Sequence, residues 1–126
     1  KICLFFFCIS ISWITSSQVN PFVWKISSNQ PTSGKLFEST LSNGYLNGRT
    51  IRVWVPEQYD KTKNAFDVIY FHDGQMLFDS TSTWNHQSWD LANSAMKYLS
   101  NKRCILVGID NNPNNRYAEF FPSPIY

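Results

Sequence analysis

Polar and apolar positions along this chain follow three successive rhythms. From Lys35 to Leu46 they alternate weakly, and Asn47-Gly48, the dipeptide favoured by two-residue hairpin turns, follows. Beyond it Ile51, Val53 and Val55 alternate with Thr50, Arg52 and Trp54, the signature of a half-buried antiparallel strand that Pro56 ends. A charged connection, Glu57 to Asn64, leads to Asp67–Phe71, an almost unbroken apolar run that stops at His72-Asp73-Gly74. Short runs of β-branched and aromatic residues bounded by such a turn read as strands buried on both faces, the kind that parallel sheets contain. Cys104 to Ile109 is a second run of this type. Between the two, Ala92, Ala95, Met96 and Leu99 recur at i, i+3, i+4 and i+7 and predict one face of a helix. Ser88 is placed to cap that helix, Asp90 falls in its first turn, and Asn101 is placed to close it.

The order is therefore hairpin, buried strand, loop, helix, buried strand. Two apolar strands joined through a helix imply a right-handed parallel crossover, and with it the α/β class. Val19 to Gly34 is polar and loop-like, with Pro21 and Pro31. After Asp110 the chain is rich in turn residues, and Pro122 and Pro124 exclude an ordinary helix there. This leaves the sheet with an unpaired edge after its last strand.

The first residues have another character. Lys1, an apolar block from Ile2 to Ile14 and then Thr15-Ser16-Ser17 form the pattern of a secretory signal peptide. The block is shorter than the ~20 apolar residues that a membrane-spanning helix needs. The chain thus divides into a signal peptide over 1–17, a loop-like lead-in over 18–34 and a partial α/β domain over 35–126. The expected location is outside the cytoplasm, periplasmic or extracellular, with no stable membrane insertion once the leader is removed.

Composition narrows the function classes. With 43% hydrophobic and 17% aromatic residues the chain is globular rather than disordered. A formal charge of +2 with no basic run gives no electrostatic basis for binding nucleic acid. Of three cysteines, Cys3 and Cys8 lie in the leader, and Cys104 sits in an apolar run as a small buried hydrophobe. No Cys/His zinc framework is present, and His72, His86 and Asp79 lack a ligand spacing, so neither metal nor cofactor is expected.

Ligands of open α/β sheets bind beyond the carboxyl ends of the strands, which puts Asp73-Gly74-Gln75 at the mouth of a crevice. The loop that follows carries Trp84, His86 and Trp89. Aromatic residues at that end can hold a sugar or a phenolic acyl group, although packing at the helix entrance is the expected role of Trp89. Asp73 is expected to fix the loop by accepting backbone or arginine hydrogen bonds, and His72 to be a packed side chain rather than a base. Arg116 and Glu119 are expected either to contact substrate or to pair with each other at the surface.

Several of these segments, taken in order, resemble one family. Val53-Trp54-Val55-Pro56, Tyr59-Asp60, His72-Asp73-Gly74-Gln75 with Phe78-Asp79, and Val107-Gly108-Ile109-Asp110-Asn111 followed by Arg116-Tyr117-Ala118-Glu119-Phe120 are similar to blocks of the esterase D-like, enterochelin esterase-like family of α/β-hydrolases. That family includes feruloyl esterases and S-formylglutathione hydrolase, and the mycolyltransferases are related to it. The resemblance covers about Arg49 to Pro124. It implies acyl transfer by a Ser-His-Asp/Glu triad whose serine lies in a Gly-x-Ser-x-Gly elbow after a later strand. Among the five glycines only Gly44 and Gly48 are four apart, and Leu46 lies between them. The expectation is the N-terminal part of an α/β-hydrolase sheet, an antiparallel hairpin followed by a parallel strand–helix–strand unit, truncated before the nucleophile elbow and without the triad. The resemblance makes the Gln75 backbone N–H an oxyanion-hole donor. It leaves Asp73, Gly74, Trp84, His86 and Arg116 to position the loop or contact a small-molecule or saccharide-linked ester. From a different class, a non-catalytic binding module or remnant on the same scaffold fits the same residues.

Overall fold

Alternation over 35–43 and 46–55 builds the two longest strands, β2 (Lys35–Asn43) and β3 (Leu46–Val55), as an antiparallel pair. The computed structural model describes residues 22–43, 46–59, 65–81, 83–99 and 103–121. A two-residue strand, β1 (Lys25–Ile26), adds to β2 from the segment expected to be loop. The two apolar runs form β4 (Asp67–His72) and β5 (Cys104–Ile109), which pair in parallel with α1 (Leu91–Tyr98) between them in the chain. Because β5 also pairs antiparallel with β3, the mixed five-stranded sheet has the order β1-β2-β3-β5-β4. The α/β class and the parallel strand–helix–strand unit are as expected. The leader expected over 1–17 and the helix stop expected at Asn101 fall outside the described residues.

One face of the sheet is covered by α1 and by the segment after β4. Leu36, Trp54 and Leu106 from the strands meet Leu77, Phe78, Ala92 and Ala95 there. Met96 and Leu99 pack against this cluster, so the helix face read from the periodicity is the one used. Cys104 is buried in the same core as a free thiol, and burial pushes its pKa up. Among the described residues no helix is long and apolar enough to cross a membrane.

Five local expectations are overturned, each for a physical reason. Asn43 pairs with Leu46, so the chain reverses between those residues and not at Asn47-Gly48. Gly48 still adopts a positive φ of 65°, beside a register shift between Leu41 and Asn43, so its left-handed freedom serves a β-bulge instead. The phase of β3 is also inverted: Arg52 and Trp54 are buried while Ile51 and Val53 are only half-buried. Both large side chains find partners inside, the Trp54 indole N–H donating to the Ser33 carbonyl at 2.9 Å. Third, β4 is not buried on both faces. Val68, Ile69 and Tyr70 are 45%, 37% and 69% exposed, because insertion of β5 beside β3 leaves β4, not the last strand, at the sheet edge.

The helix cap differs as well. Asp90 holds the cap position of α1 with φ 50°, and Ser88 Oγ accepts the Asp90 N–H at 3.0 Å instead of capping the helix itself. Finally, the tail contains a short helix, α2 (Arg116–Phe120), where none was expected. It ends at Phe120, two residues before Pro122: Phe121 is extended, the conformation a following proline imposes.

Candidate functional site

Strands β4 and β5 end side by side, His72 opposite Ile109, and the segments that leave them are tied together. The turn after β4 is tight, but not for the reason expected of a glycine. Asp73 takes the left-handed conformation, with φ 56°, while Gly74 begins a 3₁₀ turn over Gly74–Met76. Glycine is needed at 74 because the turn rests on β5. A Cβ there would lie 2.7 Å from both Asp110 Oδ1 and the Gly108 carbonyl carbon, and 2.8 Å from the Ile109 nitrogen. Gly108 answers it from β5, where a Cβ would meet the Gly74 Cα at 3.0 Å. The paired glycines let backbone approach backbone at the strand ends.

Hydrogen bonds then hold the turn from several sides. Within it, the Met76 N–H donates to the Asp73 carbonyl at 2.8 Å and the Leu77 N–H to the Gly74 carbonyl at 3.2 Å. Its own Met76 and Leu77 carbonyls accept the Trp89 and Leu91 N–H groups at 2.8 and 2.9 Å, which anchors the approach to α1. The Gln75 side chain reaches across to β5, its Oε1 accepting the Asn111 N–H at 3.1 Å. Asp73 accepts from Arg116 Nε at 3.2 Å, from Arg116 Nη2 at 2.7 Å and from Asn111 Nδ2 at 2.5 Å. The arginine-held loop expected of Asp73 is thus present, and the Arg116 bond holds its carboxyl below the usual range.

Arg116 pairs with Asp73 rather than with Glu119. Glu119 instead pairs with Arg49 of β3 and accepts the Asn112 N–H at 3.2 Å. These partners are distant in sequence, and only the packing of α2 across the ends of β3 and β4 brings them within reach. No residue of α2 is buried, so ion pairs and the edge-on contact of His72 with Phe120, 5.3 Å between centroids, are what hold it. The Arg49 bond lowers the Glu119 pKa to about 2. A carboxylate depressed in the folded state stabilises above its ordinary pKa of 4.5, and that contribution is lost as pH falls toward about 2. Amides of α2 are therefore expected to lose hydrogen-exchange protection over this acid range before those of β3 and β5. Equal protection of α2 at pH 6 and pH ~2.5 would show that the ion pairs do not hold it.

Between these elements lies a cleft of about 740 Å³, lined by Arg52, Asp73, Gln75, Met76, Trp84, Trp89, Asp110, Asn111, Pro113, Arg116 and Tyr117. Of the residues singled out in the sequence, Asp73, Gln75, Trp84 and Arg116 line it, and Gly74 is buried behind it. His86 does not line it: with φ 53° it stands exposed on the loop. Trp89, expected to pack at the helix entrance, is 56% exposed and faces the cleft. A hollow of about 760 Å³ bounded by Trp24, Phe37, Val53 and Tyr59 shares no residue with this cleft.

Arg52, Asp110, Asn111 and Tyr117 were not anticipated. The available signals were a charge within the alternating β3 pattern and an acid directly after a buried strand. Arg52 Nε and Nη2 donate to Asp110 at 3.0 and 3.1 Å, and Nη1 donates to Glu38 at 2.7 Å and lies 3.8 Å from Asp79. Ser27 Oγ donates to Glu38 at 2.8 Å. Burial works against the Arg52 charge, but the surrounding carboxylates raise its pKa overall. For Asp110 burial is the larger influence and pushes its pKa up in spite of Arg52. Among the described residues no group of three or more His, Cys, Asp or Glu is arranged to hold a metal ion. Comparison with family models, with curated proteins and with solved structures found no match to this chain.

Proposed function

We propose that this chain is the N-terminal portion of a carboxylic-ester hydrolase of the esterase D-like, enterochelin esterase-like group, in which the Gln75 N–H is one donor of an oxyanion hole. The observation that carries the reading is the Asp73-Gly74-Gln75 turn, seated on Gly108 at the joint end of two parallel strands and opening on a cleft. In acyl transfer a carbonyl oxygen gains charge as the tetrahedral intermediate forms. A backbone N–H held rigidly beforehand stabilises that charge without reorganising. The Asp73–Arg116, Asp73–Asn111 and Gln75–Asn111 bonds supply such rigidity. The ester would enter the aromatic side of the cleft as a small-molecule or saccharide-linked substrate. A Ser-His-Asp/Glu triad needs no cofactor, and the leader over 1–17 directs the protein to the periplasm or beyond.

A second reading, a non-catalytic binding module on the same scaffold, fits the same cleft. The encoding DNA separates the two. Codons downstream of Tyr126 are expected to specify that elbow, then an Asp or Glu and a His. The extended protein should hydrolyse p-nitrophenyl acetate and be stopped by a serine-reactive phosphonate, whereas the 126-residue chain should show no turnover. A stop codon directly after Tyr126 would leave only the binding-module reading.

A further inference from the structure

The hollow bounded by Trp24, Phe37, Val53 and Tyr59 lies on the sheet face that α1 leaves open. Phe37 is opposite Val53 and Lys35 opposite Val55, one residue out of phase with the Leu36–Trp54 pair that meets the helix. Ile26, opposite Phe37, extends the same face to β1. The floor of the hollow is apolar, formed by Phe37, Val53, Val55 and Pro56. Beside it apolar side chains stand in water: Val23 is 82% exposed, Ile26 64% and Trp24 43%. Apolar groups left exposed together forfeit hydrophobic free energy, and such patches mark interaction surfaces.

The rim selects the partner. Trp24, Tyr59 and Lys35 each carry an apolar body or stem and a polar tip. Trp24 stacks on Phe22 with centroids 5.5 Å apart, and Tyr59 meets Phe66 edge-on at 5.2 Å, so both rings are held in place. Among the described residues no hydrogen bond or ion pair takes up the Trp24 indole N–H, the Tyr59 hydroxyl or the Lys35 ammonium. Glu57, the acid on the same rim, already accepts the Ser33 hydroxyl at 3.3 Å. Tryptophan, tyrosine and lysine around an apolar surface are the residues of a membrane–water boundary, where the apolar parts enter the lipid and the tips meet headgroups and water. A second copy or a packed helix would cover the floor equally well, but would bury the three polar tips without partners. The chain before the described residues agrees with a bilayer: its apolar block ends at Ile14, eight residues before Phe22, a reach of at most about 28 Å.

We infer that this face is a membrane-contact surface: the hollow sits on the acyl–headgroup boundary of a bilayer, Trp24 and Ile26 enter it, and Lys35 meets lipid phosphates. The contact is interfacial and needs no spanning segment. Arg52, the β3 residue that lines the cleft, is on the other face of the strand from Val53, so a chain seated in this way leaves the cleft free. The inference uses neither the cleft nor the esterase reading, and each can fail without the other.

Bromine on lipid acyl chains quenches tryptophan fluorescence only near contact, which separates an oriented surface from a chain that is merely tethered. The full chain and its variants share one N-terminal segment, so the share of that segment cancels in their differences. With brominated phosphatidylcholine–phosphatidylglycerol vesicles, Trp24→Phe should lose a large part of the quenching. Trp84→Phe should lose none, although Trp84 is the more exposed indole at 88%. Ile26→Ser and Lys35→Glu, each measured against Trp24→Phe in the same background, should cut the Trp24 share by about half or more. Parental circular dichroism and an unchanged thermal transition certify the fold of each variant. Equal losses in Trp24→Phe and Trp84→Phe would mean a tethered chain without orientation and would overturn the inference, as would no loss in Trp24→Phe. Quenching of Trp24 by a monomeric brominated fatty acid as strong as that by vesicles would make the hollow a fatty-acid pocket instead. A lipid-free dimer that Ile26→Ser dissociates, with Trp24 unquenched by vesicles, would assign the face to a second copy and sink the membrane contact.

Discussion

Replacing Gln75 by proline in an extended form that carries the nucleophile is expected to lower kcat by about 10²- to 10³-fold, the effect of removing one oxyanion-hole donor, ~3 kcal/mol of barrier. Proline deletes the N–H itself, whereas other substitutions leave it in place. Gln75 also has a structural duty, since its side chain accepts the Asn111 N–H. Gln75→Ala is therefore the control: it loses that bond and keeps the donor, and should reduce kcat far less. KM should change little in Gln75→Pro, because charge develops on the oxygen only as the transition state is approached. The measurement is steady-state hydrolysis of p-nitrophenyl acetate on variants that keep the thermal transition of the parent. Equal kcat for the proline variant and the parent would take Gln75 out of the oxyanion hole.

A loss of stability of about 3–5 kcal/mol is expected for Arg52→Met. Arg52 is buried and bonded to Asp110 and Glu38, with Asp79 close by, so its removal strands largely buried carboxylates without their counter-charge. That figure is a large share of the whole stability of a small domain. Its pH dependence has a definite sign. Burial already raises the Asp110 pKa, and a carboxyl raised in the folded state costs stability that sets in as pH climbs past its ordinary value and is complete above its folded one. Without Arg52 the Asp110 pKa rises further, so the penalty should be smaller near pH 5 than near pH 8. Adding Asp110→Leu to Arg52→Met should recover part of the loss, since it removes the stranded charge. Thermal unfolding at the two pH values checks this. A variant melting within a degree or so of the parent at both would mean that the ion pair holds nothing.

Both effects concern groups that local sequence patterns describe incompletely. The four longer strands, α1 and their order along the chain were legible because periods of two and of about four residues are local properties of side-chain direction. The apolar face of α1 was read correctly from Ala92, Ala95, Met96 and Leu99, and the parallel relation of β4 and β5 followed from a helix lying between two apolar strands. The position of the turn was legible too, because a His-Asp-Gly stop after an apolar run has few other uses. Its mechanism was not: the left-handed residue is Asp73, and Gly74 is required by contact with Gly108.

The limits have one origin. Alternation separates the two faces of a strand without saying which is covered, so β3 buries Arg52 and Trp54 instead of Ile51 and Val53. Apolar content does not distinguish an interior strand from an edge, so β4 was read as buried although Tyr70 is 69% exposed. The site depends still more on long range. Arg52 meets Asp110 across 58 residues, Arg116 meets Asp73 across 43, and Asn111 meets Gln75 across 36. The sequence by itself determined where β2, β3, β4, α1 and β5 lie, and that Asp73-Gly74-Gln75 closes a strand at the edge of a crevice. Tertiary structure alone decided which charges are paired, which tryptophans face the cleft and what holds the turn. Those outcomes depend on sheet order and on the covered face, and both are set by non-local packing.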